Sequence, residues 1–247
     1  MSYFKNFQKV KYDLRGTGYY QEMTNLTNFA RITSKYLDDI SLYSYMHIQD
    51  GERPDNLSMR LYGTPDYYWT FMLINQHIVN IYEDWPKSND ELKEYAECKY
   101  NNIAAIAGQI SSSEFDTIAG KFEIGETVEG QVTGATGTLV NKYPTLGYIE
   151  IKPLTGTFDP NGEGISGITT GDFLTCESIV SRAYAPKEYR DGNGNPIRRN
   201  TGASYEYTNY QYEFDRNIEL GRIKVIKKQH IKDVARAFSK ELKNKAS

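Results

Sequence analysis

The clearest alternation of apolar and polar positions runs from Leu42 to Gln49, with Leu42, Ser44, Met46 and Ile48 on one face and Tyr43, Tyr45 and His47 on the other. A period of two predicts a strand with one face toward a core. Asp50-Gly51-Glu52-Arg53-Pro54-Asp55 follows as a turn, Gly51 tolerating positive φ and Pro54 preset for a helix entry. Leu57 and Leu61, four positions apart, predict a short helix that Gly63 ends as the left-handed residue past its last turn. Thr64-Pro65-Asp66 reads as a fresh helix start, with a hydroxyl cap, Pro at the first position and an acid near the positive end of the dipole. The second helix, from Pro65 to about Asn75, carries Tyr68, Trp69, Phe71, Met72 and Leu73 and is apolar on most sides, which predicts deep burial. After Asp84-Trp85-Pro86, Ser88 or Asn89 caps an acidic helix containing Leu92, Tyr95 and Ala96, with Glu91, Glu94 and Glu97 on a solvated face.

The pattern changes near Gly108. Twelve of the 20 glycines lie between Gly108 and Gly171, and this stretch repeats itself: Phe122-Glu-Ile-Gly125-Glu126-Thr-Val128-Glu-Gly130 is echoed by Phe158-Asp-Pro-Asn-Gly162-Glu163-Gly-Ile165-Ser-Gly167. Strand-like alternation at Thr138-Leu-Val and Tyr148 to Lys152 lies between the copies. Short strands with frequent glycine turns predict a small barrel or sandwich. Glu188 to Arg198 reads as a hairpin with a Gly/Asn turn, Arg222 to Lys227 as a strand, and Ile231, Val234, Ala235, Phe238 and Leu242 as the buried stripe of a last helix. Residues 1 to about 40 have weak periodicity and predict an arm with one short helix around Asn25 to Tyr36. The expected organisation is an arm at 1–41, a core from 42–107 plus 203–247, an inserted glycine-rich β domain at 108–185 and a β-hairpin at 186–202.

Composition adds one feature. The chain of 247 residues has net charge −3, which gives no overall drive toward nucleic acid or an anionic membrane, but it carries 21 Tyr against 10 Phe and 2 Trp. Tyr joins an apolar ring to a polar tip and suits surfaces half buried against a partner, or equally strands and loops. No apolar run is long enough to span a bilayer, and Met1 to Arg15 lacks the apolar core of a secretion signal. Cys98 and Cys176 do not suggest a disulfide framework.

Chemical motifs fail on context. Gly162-Glu-Gly164-Ile-Ser-Gly167 matches a dinucleotide-binding string, but no strand-loop-helix surrounds it. Asp191-Gly-Asn193-Gly-Asn195 begins like a calcium loop, yet Pro196 and Gly202 stand where that loop needs Gly and Glu. His47, His77 and His230 have no zinc spacing. The expectation is no catalytic residue, no metal ligand and no cofactor. Arg222 to Ser247 holds nine Lys/Arg against Asp233 and Glu241, and Arg236, Lys240 and Lys243 are candidate partner-binding residues on a solvated helix face.

The strand, glycine turn, helix, Tyr62-Gly63-x-Pro65 link and second helix resemble the first part of a LysM module, whose closing strand would be Ile223 to Ile226. The motif residues Gly51, Arg53, Pro54, Leu57, Tyr62, Gly63, Pro65, Tyr68, Trp69, Asn75, Trp85 and Pro86, with Ile223 and Val225 near the C-terminus, resemble more specifically the LysM-like baseplate wedge subunit of contractile-tailed, T-even-like bacteriophages. The resemblance covers about residues 40–100 and 205–247. It implies an α+β fold, a split LysM-like βααβ core with an inserted small all-β domain, N-terminal arm and C-terminal helix, in which Leu42–Gln49 pairs with Arg222–Lys227. It also implies a structural subunit of the virion's tail baseplate, assembled in the host cytoplasm, that joins wedge subunits and meets a sheath-initiator-like protein, with no enzyme activity, nucleic acid or membrane. The alternatives are a peptidoglycan-binding LysM-type module and, behind it, a cell-wall hydrolase. Glycan binding is doubtful because Gln76 to Leu220 replaces one of the loops a LysM module would use.

Overall fold

A computed structural model describes residues 7, 9–25, 40–108, 115–199 and 204–244, apart from the side chains of 115–117 and 242–244. The expected short helix around Asn25 to Tyr36 falls almost wholly outside the described residues. The chain divides into two units, 1–89 with 217–247, and 90–216.

The first unit starts with a hairpin of β1 (Lys9–Tyr12) and β2 (Gln21–Thr24), antiparallel with Lys9 opposite Thr24. Its strands are exposed along their whole length. Strand β3 (Tyr43–His47), helix α1 (Pro54–Tyr62), a single 3₁₀ turn (Pro65–Tyr67) and helix α2 (Trp69–Ile74) follow. Strand β13 (Arg222–Ile226) returns antiparallel to β3, Tyr45 opposite Lys224, and helix α6 (Ile231–Asn244) ends the unit. The local signals act where the sequence put them. Gly63 is left-handed at φ 77° and its N–H donates to Met59 O, while the Thr64 hydroxyl accepts from Asp66 N. Leu57, Phe71, Ile78, Trp85, Ile223 and Val225 form one core; Trp69, Ala235 and Phe238 form a second cluster, with the Trp69 and Phe238 ring centroids 4.9 Å apart.

The second unit begins with most of helix α3 (Asn89–Lys99). Six antiparallel strands then close into a barrel in the order β4-β7-β6-β5-β8-β9: β4 (Ile103–Ala107), β5 (Thr127–Gly130), β6 (Thr136–Tyr143), β7 (Tyr148–Thr155), β8 (Gly164–Gly167) and β9 (Phe173–Ser181), with helix α4 (Phe115–Gly120) between the first two. Val128, Leu139, Ile149, Ile151 and Ile165 are fully buried inside. A small sheet of β10 (Pro186–Arg190), β11 (Pro196–Ile197) and β12 (Tyr205–Thr208) follows, and helix α5 (Asn209–Gly221) leads back to the first unit.

The sequence repeat becomes a local two-fold in the barrel. Strands β5 and β8 pair about Glu129 opposite Ser166, so each copy's turn meets the other copy's carboxylate. Glu126 accepts from the N–H groups of Glu123, Thr169 and Thr170, and Glu163 from those of Asp159, Val132 and Thr133. A Cβ at Gly130 would lie 2.5 Å from Glu163 Oε2, and one at Gly167 2.6 Å from Glu126 Oε2, so both turns need glycine for the carboxylate to approach.

These strands correct the expected class. The molecule is mostly β, with thirteen strands among its described residues and a closed six-stranded barrel as its largest sheet, rather than an α+β fold organised on a LysM-like βααβ core. The pairing of β3 with β13 is present, but as a two-stranded sheet, and the largest sheet of the molecule is the closed one. Local patterning specifies strands and helices well; it does not reveal which sheet dominates, because that depends on long-range closure.

Candidate interaction surface

The motif residues of the first unit mostly act inward. Gly51 at φ 65° turns the chain so that Glu52 meets Arg60 through two 2.7 Å bonds and Trp85 Nε1 donates to Glu52 O at 2.8 Å. Burial raises the Glu52 carboxyl, but Arg60 and the Gln49 N–H outweigh it and hold the group below its usual value. Pro54 opens α1 with Arg53 as the residue before it; the Arg53 side chain is exposed, 3.5 Å from Asp55. Leu57 and Trp69 are buried, Tyr68 and Pro86 half-buried, and Pro65 and Gly63 exposed at the link. Tyr62 is buried and donates to Ile226 O at 2.9 Å; burial is the chief reason its phenol is pushed up. Ile223 and Val225 point into the core.

Asn75 does more than cap α2. Its Nδ2 donates to Lys224 O at 2.9 Å and its Oδ1 accepts from Lys224 N at 2.8 Å, occupying the outer edge of β13 as a neighbouring strand would. The residues left facing outward are Tyr43, Tyr45 and His47 on β3 with Arg222 and Lys224 on β13. The Arg222 guanidinium stands 5.1 Å from the Tyr45 ring and Lys224 Nζ 4.8 Å from the Tyr43 ring. Such cation–aromatic layers are common at recognition surfaces. Strand alternation showed Tyr43 and Tyr45 on one face; their closeness to Arg222 and Lys224 depends on a register the local sequence does not supply.

The other predicted partner residues lie on α6. Arg236 and Lys240 are exposed, Arg236 3.6 Å from Asp233, and the Lys243 side chain lies outside the described residues. Val10, Tyr12, Tyr19, Tyr20 and Met23 are exposed on or beside the β1–β2 hairpin. A lone two-stranded hairpin is marginal in water, so this arm has the character of a segment that gains stability on a neighbour.

In the second unit the buried carboxylates are internally satisfied. Buried Glu150 accepts from Asn102 Nδ2, Tyr143 OH and an Arg182 nitrogen, and buried Glu213 from Lys99 Nζ and Tyr100 OH. Burial opposes ionisation of Glu213, yet Lys99 and Tyr100 hold its carboxyl below the ordinary range. Burial pushes the Cys176 thiol up to about 12, which leaves it a poor nucleophile. Gly162 and its neighbours run into β8 rather than a helix, and Asp191 accepts from Asn193 N and Asn195 N within the turn between β10 and β11. No group of three or more His, Cys, Asp or Glu among the described residues could hold a metal ion.

Comparison with known families bears on the first unit above all. Residues 3–115 match the family described as base plate wedge protein 53. The match spans the arm, β3, α1, α2, Trp85, α3 and the first barrel strand β4, and ends before β5. The matched stretch, less than half of the chain, is similar to a phage baseplate wedge protein. No curated protein matches the chain.

Proposed function

We propose that the chain is a structural, non-enzymatic subunit of a contractile phage tail that joins neighbouring wedge subunits during baseplate assembly. The observation that carries this reading is the match of residues 3–115 to the base plate wedge protein 53 family. The first unit supports it physically: an exposed hairpin arm, an aromatic and cationic sheet face, and the exposed cations Arg236 and Lys240 on α6 together form contact surface rather than a cleft with convergent chemistry. Lys243 belongs to the same basic helix and is assigned to the same contact. The peptidoglycan-binding and hydrolase alternatives rested on the LysM comparison and gain no support from the fold.

The test is copurification. Tagged chain expressed during infection is expected in purified virions and in wedge intermediates isolated from the host. Its absence from both would contradict the proposal.

A further inference from the structure

Two bonds bracket the β3–β13 ladder: Ile48 N donates to Gly221 O, and Lys227 N to Leu42 O, each at 2.9 Å. In an antiparallel pair, bonded and non-bonded positions alternate, so Ser44 and Met46 are bonded to β13 while Tyr43, Tyr45 and His47 turn their N–H and C=O groups away from it. Lys224, opposite Tyr45, likewise faces outward on its own side, where Asn75 satisfies it. One edge of this sheet is therefore closed by a side chain. The edge of β3 has no strand beside it among the described residues.

We propose that the β3 edge is a strand-addition site for an extended acidic segment of a neighbouring baseplate protein; this deepens the wedge reading and rests on it. Main-chain bonds to Tyr43, Tyr45 and His47 supply the pairing, as in other cases where a peptide extends a sheet. The side chains set the chemistry. On the face of Tyr43 and Tyr45 an incoming strand lies against the two Tyr rings, Tyr45 being 55% exposed, with the cations of Arg222 and Lys224 one strand further on against those same rings, which favours the long reach of Glu at alternate positions. On the other face it abuts half-buried Met46 and Ile48, which pack against the core and favour small apolar residues between the acids.

Because the Tyr45 N–H takes no part in the ladder, Tyr45→Pro removes a donor from the open edge while leaving the β13 bonds intact, a position where strands tolerate proline. Tyr45→Val keeps the donor. The experiment reconstitutes the wedge from the purified wedge proteins of the same phage and measures incorporation of wild type, Tyr45→Pro, Tyr45→Val and Lys224→Glu. Tyr45→Pro is expected to lower affinity on the order of tenfold or more while Tyr45→Val stays close to wild type. Lys224→Glu should weaken incorporation, and added salt should weaken wild type. Hydrogen exchange on the wild-type chain gives a readout independent of any variant: the amides of Tyr43, Tyr45 and His47 should exchange readily in the free chain and become protected in the wedge.

Wild type that assembles with those amides still unprotected overturns strand addition and leaves the wedge reading standing. Wild type that never assembles overturns both. A Lys224→Glu variant that binds as well or better overturns the acidic partner, and a chain that dimerises alone through the same amides assigns the edge to a second copy instead.

Discussion

The barrel and the β3–β13 sheet treat the exposed edge of a strand in opposite ways. In the barrel, β4 and β9 pair with one another and the ring closes, so no edge is left for another chain. In the first unit a single amide side chain, Asn75, covers one edge, and among the described residues the edge of β3 has no strand paired to it. The closed sheet buries its apolar side chains in an internal cluster and a smaller one against its outer face, and satisfies its buried carboxylates internally. The open sheet leaves Tyr and cations outside. Closure favours autonomous stability and an open edge favours association, and it is the open-edged unit that holds most of the family match.

The largest effects should separate the two regions. Phe71→Ala removes a fully buried ring from the first core and should cost about 3–5 kcal/mol. Hydrogen exchange should show β3 and β13 losing protection while the barrel strands keep theirs. Leu139→Ala, fully buried in the barrel, should cost about 2–5 kcal/mol and do the reverse. If either substitution releases both regions together, the contrast is wrong.

Two changes of intermediate size sharpen it. Asn75→Leu keeps bulk but leaves the Lys224 N–H and C=O without their partner, costing about 1–3 kcal/mol in chemical denaturation. It should also produce self-association by uncovering a second edge, and a monomer of unchanged stability would show that the amide does not guard β13. Glu163→Gln replaces a carboxylate that accepts from several N–H donors and should cost about 1–3 kcal/mol. Burial pushes the Glu163 carboxyl up, but the N–H groups of Asp159, Thr133 and Val132 outweigh it and hold the value below the ordinary 4.5. The ionised form is thus favoured by folding. Its contribution is complete above the ordinary value and disappears as pH falls through the lowered folded-state value. An acid titration of barrel unfolding should be flatter between the ordinary value and that lowered one in Glu163→Gln than in wild type; parallel titrations would remove the charge from the account.

Much of the first unit was legible because its signals are local. Gly51, Gly63 and Thr64 each specify a turn or cap through one residue's backbone preference, and the alternation of Leu42 to Gln49 marks a strand. The pairing of that strand with Arg222–Lys227 was expected from resemblance, since sequence-distant register has no local signature. Strand β4 gave no alternation because both its faces are covered: Ala105 and Ala107 face the barrel core, Ala104 and Ile106 pack outside with Tyr148 and Ala185. It therefore read as the tail of the preceding segment, although it closes the barrel. The fold class failed for the same reason. Glu126 and Glu163 could have been found from the repeat, since they occupy matching places in both copies and each is followed four residues later by a glycine. Asn75 was named by the resemblance, but its role could not be read, because an amide standing in for a strand is a tertiary event.

The smallest effect on stability is expected at α6. Arg236→Glu with Lys240→Glu should change folding stability by no more than about 0.5 kcal/mol, both side chains being exposed. The same pair should measurably weaken salt-sensitive association with wedge proteins, and unchanged assembly at low salt would take the basic face out of the interface.

The most direct measurement is a cryo-EM map of the phage baseplate resolved to side chains. The account predicts the chain within the wedge, with a strand from a neighbouring protein lying along Tyr43, Tyr45 and His47. A baseplate lacking the chain, or one in which that edge faces solvent while the barrel makes the contacts, would contradict it.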